Sequence, residues 1–156
     1  MMYASPHRPL KNAGFTLLEM IGVLAILALV AVIALPAAER SRSALAVRGA
    51  AFDLAAALKN ARSAALITNR ETRLTLDITA RRFLADGMAA AHSLPRNAAV
   101  TYAVPAGEQA AKGVAVIRFR PDGSSSGGTI TLAGPRQSAV VSVDWMTGRT
   151  ELAWGG

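Results

Sequence analysis

The sequence predicts an α+β protein in which a long N-terminal helix packs on an antiparallel β-sheet. Three observations carry that prediction. Residues 15–35 form an apolar run with a single charge, Glu19, and helix-forming residues continue to about Thr68. From Arg73 onward the hydrophobic period changes from about 3.6 residues to about 2. Clusters of Gly, Pro, Asn, Asp and Ser then divide the remainder into short segments, as antiparallel strands joined by turns require.

The first element is the apolar run. Phe15 to Leu35 covers 21 residues, and about 20 residues in a helix span a hydrocarbon core of about 30 Å. A carboxylate at that depth costs about 2.5–3.5 kcal/mol on insertion scales, which makes Glu19 a candidate functional residue. Beyond Pro36, the residues Val47, Ala51, Leu54, Leu58, Ala61 and Ala65 recur at alternating spacings of 4 and 3. That spacing is one face of an amphipathic helix, about 37–68, made to pack under a sheet. Arg48, Asp53, Lys59, Asn60, Arg62 and Ser63 lie largely off the stripe. Pro36 removes one helical hydrogen bond, so a kink or local melting is expected there.

The sheet is expected over about residues 73–154. Leu74, Leu76 and Ile78 alternate with Arg73, Thr75 and Asp77, and Phe83-Leu84-Ala85 returns after a turn at Thr79 to Arg82. Pro95 and Asn97 mark a loop before a strand at Val100 to Val104. Pro105 to Gly113 is polar and small, and is expected to be mobile. Val114 to Phe119 is the strongest strand. Pro121 to Gly128 reads as a flexible, solvated turn, because Gly/Ser-rich segments are flexible by composition. Strands at Thr129 to Leu132, Ala139 to Val143 and Arg149 to Trp154 complete the set.

Composition sets further bounds. The chain has 156 residues, 52% of them hydrophobic, which fits one apolar segment and one modest domain. There is no cysteine, so neither disulfides nor thiol chemistry arise. The net charge of +7, mostly arginine, permits contact with anionic lipid, nucleic acid or acidic protein. Solvated charge that keeps a domain soluble is the simpler account.

Residues 1–40 admit three readings. A secretory signal peptide would hold Arg8 and Lys11 in its basic region and be cut near Ala37-Ala38, but its apolar core would be only about 7–15 residues. A plain signal anchor explains the length and leaves Glu19 unexplained. The third reading rests on Gly14-Phe15-Thr16-Leu17-Leu18-Glu19, which resembles the prepilin peptidase motif of type IV pilin-like proteins. That resemblance implies a leader of residues 1–14, cleavage between Gly14 and Phe15, and N-methylation of the Phe15 amine. It also implies a role for Glu19 in assembly, where it meets that amine within or between subunits. Residues 15–36 would then be the transmembrane and filament-core helix, and 37–156 the periplasmic globular domain. The flanking charges Arg8 and Lys11 before the run, and Arg40, Arg42 and Arg48 after it, give no clean orientation. Placement in the bacterial inner membrane as a single-pass protein follows from the resemblance.

Two later segments narrow it. Phe119-Arg120-Pro121-Asp122-Gly123-Ser124-Ser125-Ser126-Gly127-Gly128 and Val143-Asp144-Trp145-Met146-Thr147-Gly148-Arg149 resemble the C-terminal hairpins of the GspH/FimT family, while residues 80–112 are not diagnostic. The resemblance implies a type IV pilin-like fold and a minor pseudopilin of a type II secretion system, built into a periplasmic pseudopilus near its tip. The implied partners are the prepilin peptidase, other minor pseudopilins, the major pseudopilin and the inner membrane. The alternative is a FimT/FimU-like minor pilin of a type IV pilus, in adhesion or DNA uptake. A DNA-binding version requires Arg118, Arg120, Arg136 and Arg149 to form one stripe.

Enzyme chemistry finds little support. Ser124 to Ser126 offer hydroxyls, but the only histidines are His7, within the leader, and His92, with no acid positioned by sequence. Asp122 and Asp144 lack the spacing of a calcium loop, and no Cys/His cluster suggests zinc. Gly123 to Gly128 lack the lysine of a phosphate loop. No cofactor and no catalytic residue is expected.

Overall fold

The computed structural model describes residues 16–155, apart from the side chains of 33–41 and 110. It divides into two units, residues up to Ala37 and residues from Ala38. One helix, α1, runs from Leu17 to Thr68. The local melting expected at Pro36 does not occur, since the backbone there is helical.

In the first unit α1 is exposed along every described side chain from Leu17 to Val32. Among the described residues no helix is long and apolar enough to cross a membrane. The described side chains of the apolar run end at Val32, about 22 Å along the helix axis from Leu17. The predicted run continues to Leu35, past that point.

In the second unit the predicted stripe forms the core. Val47, Ala51, Leu54, Leu58, Ala61 and Ala65 are all buried, joined by Ala50, Ala55 and Ala57. The alanines matter as much as the leucines, because small side chains let a helix approach a sheet closely. Asn69 takes a left-handed conformation (φ 51°) and ends the helix. The Thr72 hydroxyl then donates to the Ala61 carbonyl at 2.7 Å, which fastens the first strand to the helix.

Among the described residues nine strands follow: β1 (Thr72–Asp77), β2 (Arg82–Ala85), β3 (His92–Ser93), β4 (Ala99–Ala103), β5 (Gln109–Ala111), β6 (Val114–Phe119), β7 (Gly128–Ala133), β8 (Ser138–Val143) and β9 (Thr150–Gly155). They make two sheets, in the orders β3-β2-β1-β6-β5 and β4-β7-β8-β9. Every pairing is antiparallel. The single sheet of the sequence reading is therefore two. The chain crosses to the second sheet for β4, returns for β5 and β6, and crosses again for β7 to β9.

The second crossing corrects a turn assignment. Residues 121–128 do not join β6 and β7 into a hairpin, since the two strands lie in different sheets; the stretch is held to β6 by an isolated bridge, Phe119 with Ser125, and by hydrogen bonds between Ser126 and Arg118. Gly127, at φ 73°, turns the chain where a Cβ would come within 3.0 Å of Trp145 Cβ. The segment expected to be mobile, Pro105 to Gly113, holds a 3₁₀ turn (Ala106–Glu108) and β5. Glu108 is drawn in by Arg118, whose Nε donates to it at 2.8 Å.

Both sheets share one core with the helix: Leu74, Leu76, Phe83, Ile117 and Phe119 from the first sheet, and Ile130, Leu132 and Val141 from the second. Leu58 is fully buried (0% exposed) within it, whereas Phe52, on the other face of the helix, is 56% exposed. Leu58→Ala is expected to lower stability by about 2–5 kcal/mol and Phe52→Ala by less than about 1 kcal/mol. Urea unfolding of the full chain in detergent, followed by tryptophan fluorescence, checks the contrast.

Candidate functional site

The residues implicated at the cleavage point, Gly14 and Phe15, lie outside the described residues. Glu19 lies within them. It sits in the first turn of α1, and its backbone N–H donates to the Thr16 hydroxyl at 3.2 Å. Thr16 thus caps the helix, and Glu19 occupies the position three residues on, the sequence pattern of a capping box. A carboxylate there also faces the positive end of the helix dipole. Cutting after Gly14 would place the new amine only four residues from Glu19.

A second constellation joins three segments that sequence reasoning treated separately. Arg62, beside the buried stripe, directs its Nε to two backbone carbonyls, Thr147 at 3.0 Å and Gly123 at 3.2 Å. One guanidinium therefore ties α1 to the 121–128 crossing and to the β8–β9 turn. Gly148 (φ 62°) lies beneath it: a Cβ there would collide with the Gly123 carbonyl and lie 2.9 Å from Arg62 Nε. The two segments also hold each other. Ser125, buried at 3% exposure, receives from the Gly127 N–H, donates its hydroxyl to the Asp144 carbonyl at 2.9 Å and donates its N–H to the Trp145 carbonyl at 2.9 Å. The loop expected to be loose is thus locked. Composition suggested flexibility, but the serine hydroxyls satisfy backbone groups that a flexible loop would leave to water.

Two aspartates close the turns. Asp144 Oδ1 receives the Thr147 N–H and hydroxyl, each at 2.7 Å, and the Met146 N–H at 3.1 Å. These bonds, those from Thr147 first, hold its carboxyl below the usual range. Asp122 receives the Ser124 hydroxyl at 2.6 Å and its N–H at 2.9 Å, with the same consequence. Presented on this rigid frame, Trp145 and Met146 remain 64% and 63% exposed.

The four arginines of the DNA-binding version do not form one stripe. Arg118 is paired with Glu108 and lies 3.7 Å from Glu71. Arg120 Nη1 lies 3.4 Å from the Ser124 hydroxyl and from the Ser125 carbonyl. Arg136 and Arg149 occupy turns at opposite ends of β8, about 20 Å apart. Nor do the serines meet His92, which lies on an edge strand with β2 and β1 between it and β6. His92 instead lies 3.8 Å from Asp53 on the helix. Among the described residues, no group of three or more His, Cys, Asp or Glu could hold a metal.

A long helix whose one face is covered by antiparallel strands defines a pilin-type structural protein. The family model described as type II transport protein GspH matches residues 50–148, and that of the prokaryotic N-terminal methylation motif matches residues 9–35. The chain belongs to the GspH family, whose members are pilin-type structural proteins rather than enzymes. Its fold is similar to that of the minor pseudopilin EpsH from the type II secretion system of Vibrio cholerae, with a TM-score of 0.55 and 14% identity over 69% of this chain and 95% of that one. It is also similar to the type IV minor pilin FimU of Pseudomonas aeruginosa, with a TM-score of 0.51 and 16% identity over 68% and 91%. No curated protein sequence matches the chain.

The locked turns can be probed by substitution and by acid. Gly148→Ala forces a strained φ against Arg62 and should destabilise the domain by about 1–3 kcal/mol, while Arg62→Met leaves two carbonyls without their donor at a similar cost. Both are read by urea unfolding. The depressed carboxyls give a defined pH window. Their contribution is full above the ordinary carboxylate value and is lost only as pH falls through the lowered one. The amide signals of Ser124, Met146 and Thr147 should stay at their neutral-pH positions as pH falls through the ordinary carboxylate value and move only in stronger acid, as NMR titration would record.

Proposed function

We propose that this protein is a minor pseudopilin of a type II secretion system. It is inserted in the inner membrane as a single-pass protein with its globular domain in the periplasm. The prepilin peptidase cuts between Gly14 and Phe15, and the Phe15 amine is methylated. The processed subunit joins the major and other minor pseudopilins in the pseudopilus, near its tip, and the filament drives folded proteins across the outer membrane. The observation that carries this reading is the joint match of residues 9–35 to the methylation motif and of residues 50–148 to the GspH family. The apolar run from Phe15 to Leu35, interrupted only by Glu19, supports membrane insertion.

Glu19 is the residue on which assembly turns. A carboxylate within an apolar environment requires a cationic partner. The methylated amine of Phe15, on the same chain or a neighbour, is the one that processing creates. The Thr16 cap uses the Glu19 backbone rather than its carboxylate, so charge and helix start can be separated by substitution.

A second reading, a FimU-like minor pilin of a type IV pilus, is favoured by the comparable fold similarity to FimU. Loss of protein secretion on deleting the gene, with twitching and pilus number unchanged, supports the secretion system; the converse supports the pilus.

The N-terminus and intact mass of the protein from its own membranes test the processing. A methylated Phe15 start that vanishes without the peptidase is expected; a start near Ala38, or an uncut chain unaffected by the peptidase, would overturn the reading. Glu19→Gln should leave cleavage intact and abolish incorporation into filaments, whereas Thr16→Ala should only loosen the helix start, by about 1 kcal/mol. In-cell cross-linking to the major pseudopilin distinguishes the two.

A further inference from the structure

The locked end of the domain carries two clefts that the assembly role of Glu19 does not use. The larger, about 720 Å³, lies between α1 and the start of β9 and is lined by Lys59, Arg62, Ser63, Arg149 and Thr150, with Glu151 on its wall. The smaller, about 520 Å³, lies on the other side of the same segment, shares Arg149 and Glu151, and is walled by Trp145 and Met146. Three cations therefore line one side of a strip whose other side carries Trp145 and Met146.

Their hydrogen-bonding capacity is largely unspent. Arg62 uses Nε on the two carbonyls, and among the described residues neither of its terminal nitrogens has a hydrogen-bond partner. The Lys59 and Arg149 side chains likewise have none there. The Thr150 hydroxyl, on the wall of the larger cleft, is buried and without a partner among the described residues. Of the two acids nearby, Asp144 already receives three donors from its own turn, which leaves Glu151 as the opposing charge. β9 is moreover an edge strand, paired only with β8.

We propose that this surface docks an acidic segment of a neighbouring protein subunit, whose carboxylates meet Lys59, Arg62 and Arg149 while an adjacent apolar side chain covers Trp145 and Met146. The chemistry matches on both counts. Arginine forks suit carboxylates, and exposed aromatic and methionine side chains are the kind that anchor interface centres. The rigidity of the turn favours binding, since little loop ordering remains to oppose it. Nucleic acid fits less well, because the arginines do not continue as a stripe beyond the cleft.

The inference rests on the filament reading, and the test separates the two. A benzophenone side chain is placed at position 146 of the full chain, and the producing cells are irradiated. The expected result is a discrete adduct with another protein, whose cross-linked peptide carries more acidic than basic residues. Charge reversal by Lys59→Glu with Arg149→Glu, two exposed side chains without structural bonds among the described residues, should lower its yield about tenfold. Reversing the partner's carboxylates to lysine should restore it. Circular dichroism and protease resistance of the double variant confirm its fold. An adduct with lipid or nucleic acid, a protein adduct indifferent to charge reversal, or no adduct from a chain correctly cut at Phe15 would overturn the docking inference alone. An uncut chain that still forms the charge-dependent adduct would overturn the processing reading alone.

Discussion

One helix face has to serve as the floor of two sheets, and the rest of the domain follows from that constraint. Between Val47 and Ala65 the buried hydrophobic positions are Val47, Leu54 and Leu58 set among six alanines. The large side chains fill the space between the sheets, and the small ones let backbone approach backbone. Core strands from both sheets meet the same stripe: Leu74 and Phe119 from one, Leu132 and Val141 from the other. Neither sheet has a second apolar layer of its own among the described residues, so loosening the helix would open both at once. The two fastenings, Thr72 to the Ala61 carbonyl and Arg62 to the Thr147 and Gly123 carbonyls, stand one residue apart on the helix.

The Arg62 junction joins stability to function. A buried or half-buried backbone carbonyl needs a donor, and the crossing from β6 to β7 leaves some without a ladder partner. Arg62 supplies one donor to two of them, Ser125 bridges the crossing to the β8–β9 turn, and Asp144 closes that turn from within. The same bonds fix where Trp145 and Met146 stand. Large apolar side chains held in water by a rigid turn are the feature on which the proposed docking surface rests. At the other end of the helix the logic is similar on a smaller scale. Thr16 satisfies an orphan N–H at the start of α1 through the Glu19 backbone and leaves the Glu19 carboxylate free of that bond.

Much of the architecture was legible in the sequence because periodicity reports which side faces the core. The stripe from Val47 to Ala65 is the buried stripe, and the alternation at Leu74 and Leu76 is the inner face of β1. What misled was composition. Gly123 to Gly128 reads as a loose linker because glycine and serine lack bulk, yet serine hydroxyls can replace a missing ladder, and here they do. Pro105 to Gly113 reads as mobile because it is small and polar, yet Glu108 is held by Arg118 and β5 pairs with β6. The two-residue strand β3 had no period to show.

Local spacing and residue type were enough to place the helix and the longer strands, the inner face of α1 and β1, the Gly14-Phe15-Glu19 motif and membership of the GspH family. Only the tertiary structure decided that the strands divide into two sheets, that Arg62 joins residues 61 and 85 positions away, and that Lys59 and Arg149 share a cleft while Arg136 stands apart. Those outcomes depend on which backbone groups lack a partner once the chain is packed, and no local pattern in the sequence records that.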